Sequence, residues 1–143
     1  MSPEVAVLQR MQAVVPAAAA RMHMLKLPQQ PELPAAVVQL VDDIREKHLR
    51  GGSVAGVARV QISVYRAEAS GIDPYDEAQA LIDAIHGDDG GSGLSAFSGH
   101  IGGSPGGLLL TGVFFAGRRA IYEPDEMRAV GIQEDYFAHY RHV

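Results

Sequence analysis
Between Val57 and Tyr65 the chain reads VARVQISVY, with Val60, Ile62 and Val64 alternating against Arg59, Gln61 and Ser63. A period of two places those apolar side chains on one face of a strand and the polar ones on the other, so we expect a half-buried strand here. The preceding AAVVQLV, from Ala35, is a compact β-branched run that reads as a second strand. Further on, LLLTGVFFAG (Leu108 to Gly117) and AVGIQEDYFAHYR (Ala129 to Arg141) are strand-like and separated by a turn around EPDE.

Helical spacing appears twice. Val5, Leu8, Met11 and Val15 recur at intervals of three and four, behind Ser2 as a cap and Pro3 and Glu4 in the first turn, and Pro16 ends or kinks that helix. In GIDPYDEAQALIDAIHG the signals are stronger. Asp73 stands at the cap, Pro74 at the first helical position, Asp76 and Glu77 in the first turn and Gly87 beyond the end, while Ala78, Leu81, Ile82 and Ile85 form the buried stripe. Between the first helix and Ala35, the prolines at 28, 31 and 34 predict a short edge strand and an extended connector. The order helix, weak strand, two strands, helix, two strands predicts one α+β domain over 1–143, a mainly antiparallel sheet with two helices packed on one face.

Composition narrows the function. The chain has 143 residues, 47% apolar and 20% charged, which suits one folded domain. Its net charge of −5 and only two lysines, Lys26 and Lys47, argue against a surface built to grip phosphate backbones. The basic stretch IREKHLR, Ile44 to Arg50, is offset by Glu46 and reads as a solvated loop. The absence of cysteine removes disulfides, thiolate metal sites and cysteine nucleophiles. No apolar run is long enough to span a bilayer, so no membrane partner is expected, and Glu4 breaks what VVPAAAA suggests of a secretion signal.

Candidate chemistry is sparse. The glycine-rich segment 88–107 lacks the Gly-Lys-Ser/Thr ending and the following helix of a phosphate loop, and GSGLSA, at 91–96, follows a helix where a dinucleotide site requires a strand. We therefore expect 88–107 to be a flexible excursion. His139 and His142 fall on opposite faces of a strand and make no metal site, and no cofactor is expected. His86, Asp88 and Asp89 read as a helix end fraying into a polar loop, and Ser98 and Ser104 near His100 lack the strained turn of a nucleophilic serine. No enzymatic role is expected. The aromatics Phe114, Phe115, Tyr122, Tyr136, Phe137 and Tyr140 are assigned to core and interface packing.

The ordered segments LPAAVVQLVDD, GVARVQISVYRAE, YDEAQALIDAIHG, LTGVFFAGRRAIYEPDEM and GIQEDYFAHYR together resemble the tail-completion, or tail-terminator, proteins of long-tailed bacteriophages and related phage-like particles, from about Leu33 to Arg141. PAAAARMHMLK and the long 88–107 loop depart from that pattern. The resemblance implies a structural virion protein, assembled in the host cytoplasm and placed at the head-proximal end of the tail. It implies a homo-hexameric ring that stops tube growth and touches the major tail tube protein, a head-side connector or stopper and the tape-measure protein, while DNA passes through without specific binding. For the subunit interface, which must be heterologous to close, we expect Phe114, Arg118, Arg119, Tyr122 and Tyr136. A stopper-like connector is the next reading, and a small ligand-binding or enzymatic domain the last.

Overall fold
A computed structural model describes residues 1–28, 32–47, 53–67, 74–102, 107–123 and 129–142. The elements are α1 (Pro3–Val14), a 3-10 turn (Pro16–Arg21), β1 (Met22–Met24), β2 (Ala35–Lys47), β3 (Ser53–Ala67), α2 (Pro74–His86), β4 (Gly99–Ile101), β5 (Leu108–Glu123) and β6 (Ala129–His142). They build one six-stranded sheet in the order β1-β2-β3-β6-β5-β4. The fold is α+β, as the pattern of elements predicts. The sheet is mixed, because β1 runs parallel to β2 while every other pair is antiparallel.

One face of the sheet carries the core. Val60, Ile62 and Val64 of β3 and Ile132, Tyr136, Ala138 and Tyr140 of β6 join Ala78, Leu81, Ile82 and Ile85 of α2 in a single apolar cluster. The β3 and α2 sets are the alternating and helical stripes read from the sequence. In α1 the buried set is Pro3, Ala6, Val7 and Met11, with Leu8 and Val15 packed at the rim of the core, so the helix is rolled relative to the stripe expected. Ser2 contributes its backbone carbonyl, bonded by the Ala6 amide at 3.1 Å, and no side-chain cap. The cap expected at Asp73 and the EPDE turn beyond Glu123 lie outside the described residues.

Three readings of loops change. Ile44 to Lys47 belong to β2, which pairs with β3 as far as Lys47 with Ser53, because a long hairpin partner overrides the polar local composition. Segment 88–107 contains the short strand β4, paired with Leu108 to Leu110, and the fully buried Leu94. The end of α2 is also no frayed terminus. Its carbonyls at Ile85 and His86 accept the amides of Leu94 and Ser95 at 2.8 and 3.1 Å. Gly87, at φ +80, turns the chain out of the helix, and the backbone of Gly93 lies so close that a Cβ there would stand 2.6 Å from the His86 carbonyl.

Candidate functional site
On the helix-covered face, β6 places Glu134 between Ile132 and Tyr136, fully buried. A buried carboxylate must be paired or hydrogen-bonded, and three elements meet that demand. The Tyr136 hydroxyl donates to Oε1 at 3.0 Å, and Arg118 Nε of β5 and His86 Nδ1 of α2 lie 3.2 Å from Oε2. Arg118 reaches on to Asp83 at 2.6 Å. His86 Nδ1 also stands 2.9 Å from the Tyr136 hydroxyl, and its Nε2 stands 2.7 Å from Asp89, which accepts from Ser95 at the same distance. Burial, then the neighbouring Glu134, pushes the Tyr136 phenol far above its ordinary range. The Ser95 hydroxyl and then His86 hold Asp89 below the ordinary carboxylate value.

The sequence offers His86 and Asp89 only as a fraying helix end and gives no sign of Glu134, because the signal is three-dimensional: a Glu in register with the apolar positions of β6, opposite an Arg on β5. Each of its oxygens has a partner within the subunit, so the arrangement ties α2 and β5 to β6. Arg10 of α1 clamps the following loop from the other side. Its guanidinium donates to the carbonyls of Gly91, Ser92 and Gly93 at 3.0 to 3.2 Å and stacks 3.9 Å over the Phe97 ring.

Among the described residues no helix covers the opposite face. Asp135 lies there beneath Arg59, Gln61 and Arg119, at 3.1, 3.2 and 3.3 Å. Burial alone would raise its pKa, but those hydrogen bonds outweigh it and hold the carboxyl below its usual range. Beside this polar patch stand Phe114 and Phe137, both exposed, with Phe114 edge-on to His139 at 5.1 Å. A groove of about 410 Å³ opens at the far end of the sheet, where Ile44, Val57 and His139 meet Tyr140 and Arg141.

Both margins of the sheet are partly open. On one side Leu25, at φ 68, turns the chain away after β1, and from Gln39 to Lys47 no described strand pairs with the outer side of β2. On the other, β4 covers Leu108 to Leu110, and Ala96 and Phe97 bond to Val113, but from Phe114 to Glu123 no described residue pairs with the outer side of β5.

Phe114, Arg118 and Arg119 therefore lie along one open margin, as does the backbone of Tyr122, whose side chain lies outside the described residues. Tyr136 does not join them. It is enclosed in the core with its hydroxyl on Glu134, which corrects its assignment to a surface between subunits. Ser104 lies outside the described residues. Among the described residues no three metal-ligating side chains come together, and no helix is long and apolar enough to cross a membrane.

The geometry defines an α+β domain in which the described helices cover one face of the sheet. No protein-family model matches the chain, and no curated protein matches it in sequence. Among solved structures it is similar to a chain in the virion of a native gene transfer agent particle, at 21% identity and a TM-score of 0.52, over 98% of this chain and 95% of that one. The likeness is one of fold, and it runs the length of both chains.

Proposed function
We propose that the protein is a structural subunit of a phage-like virion, a tail terminator that forms a hexameric ring on the tail tube, ends its growth and joins it to the head-side connector. The observation that carries this reading is the likeness in fold, along the whole chain, to a component of a gene transfer agent virion. The tail-terminator resemblance from Leu33 to Arg141 supplies the finer role, and two open sheet margins suit a subunit that has neighbours on both sides. Tube protein, connector or stopper, and tape-measure protein are its partners, and its place is the head-proximal end of the tail. No catalysis is required: termination needs one ring surface that accepts the tube and another that refuses the next tube subunit.

Native mass spectrometry and negative-stain images of the purified protein, alone and with assembled particles, test the proposal. We expect a sixfold ring with an open centre. A chain that stays monomeric and fits no sixfold density at the top of the tail would overturn it.

A further inference from the structure
Of the large apolar side chains that the subunit exposes, five lie on the two strands with open margins: Leu40, Val41 and Ile44 on β2, Phe114 and Phe115 on β5. Ile44 is 69% exposed and Phe114 54%, at sites where apolar side chains flank backbone that no described strand pairs on its outer side. Such a margin recruits another strand unless something covers it. The open stretches match in length, nine residues from Gln39 to Lys47 and ten from Phe114 to Glu123. They lie on opposite sides of one sheet, so joining them makes a heterologous contact that repeats from copy to copy.

We infer that successive copies join edge to edge, the open part of β2 in one copy pairing antiparallel with the open part of β5 in the next. This rests on the ring reading above and names the surfaces that build it. Direction follows from the sheet. Within one copy β2 and β5 run in opposite senses, and rotation about an axis close to the strand direction keeps them so.

Register follows from where the open stretches sit. Arg118, near the middle of one, is level through Glu134 and Ile62 with Val38, whereas Asp43, at the middle of the other, is level with Ala58. Ile62 and Ala58 are four residues apart on β3, so facing copies are offset by about 13 Å along the strands over a repeat four strands, or about 19 Å, wide. A closed ring absorbs that offset by tilting its strands about 35°, within the range of closed sheets. Centring the stretches on each other puts Asp43 opposite Arg118 and Asp42 opposite Arg119, acids against bases on matching faces. Ile44 then faces Gly117, a glycine at which an added Cβ meets nothing within 4 Å.

The chain has no cysteine, so paired cysteines report on the contact without background. In the double variant Ile44→Cys with Gly117→Cys, the two thiols lie on opposite margins of one subunit and cannot bond within it. Mild oxidation of the assembled protein should give a ladder of covalent oligomers ending at six, and each single variant should give none beyond a dimer. The registers shifted by two, Asp42→Cys with Gly117→Cys and Ile44→Cys with Arg119→Cys, should crosslink at least several-fold more slowly. In the unmodified protein, amides of 39–47 and 114–123 should exchange at least tenfold more slowly in the ring than in dilute monomer. A sixfold ring in which no pair crosslinks and neither stretch gains protection overturns the edge pairing and leaves the ring standing. A ladder that runs past six upholds the pairing and overturns closure. Absence of both ring and ladder overturns the two together.

Discussion
Tyr140 and Tyr136 lock the sheet to its surroundings through their phenols. Tyr140 donates to Asp43 at 2.7 Å, and burial together with that carboxylate pushes its pKa up to about 12. A raised acid pKa means that the fold favours the neutral phenol. The stability this confers is full below the ordinary value of 10.0 and drains away as pH rises from there through about 12. In a tyrosinate absorbance titration, Tyr140→Phe should remove an ionisation near about 12, and Tyr136→Phe should remove one that appears only as the protein unfolds. Asp135 has the opposite sign. Its depressed pKa gives stability above the ordinary carboxylate value of 3.8, lost as pH falls through the lower folded value. Asp135→Asn should therefore cost about 2 kcal/mol at neutral pH in urea unfolding, with the difference from the parent shrinking in acid. Arg118→Ala strips a buried carboxylate of its cation and should cost about 3 kcal/mol or more, whereas Arg45→Ala, at an exposed pair with Asp43, should cost under about 1 kcal/mol.

At the scale of elements, the legible parts were those whose periodicity and partners agree. The stripes of β3 and α2 state their buried faces outright, because strand alternation and helix spacing there coincide with the core. β4 is three residues long in a glycine-rich segment and has no period to read; it exists because Leu108 to Leu110 give it a partner. The extension of β2 to Lys47 was hidden by Arg45, Glu46 and Lys47, whose polarity resembles a loop. Gly87 reads as the stop after α2 and Gly93 as part of a flexible excursion, yet their backbones pack where a side chain would not fit. Gly93→Ala should thus lower stability by about 1–3 kcal/mol, measured by chemical denaturation, against near-neutral Gly117→Ala. Hydrogen exchange should divide the 88–107 segment, slow at the Leu94, Ser95 and Ala96 amides that bond to Ile85, His86 and Val113, and fast at exposed amides around Gly90. Uniformly fast labelling would show that Arg10 and His86 do not hold this loop in solution.

For the whole molecule, the proposed ring would set four long strands from each of six copies, about 4.8 Å apart and tilted about 35°, around a circle roughly 45 Å across its backbone, wide enough to pass a DNA duplex. Six subunits of charge −5 in the proposed ring would sum to about −30, and Arg59 and Arg119 are already engaged with Asp135, so such a ring should not hold DNA. A low-salt titration should show no micromolar binding. Steeply salt-dependent binding abolished by neutralising Arg45, Lys47 and Arg50 would place those residues on the channel. Glu134 sets one more condition on such an assembly. Its buried side chain takes hydrogen bonds from β6, β5 and α2 together, so undocking β5 or α2 removes one of its partners and couples the docking of the three elements. In the proposed ring a subunit would then offer its two edges only once all three elements are docked, and fluorescence and circular dichroism should report the same single unfolding transition.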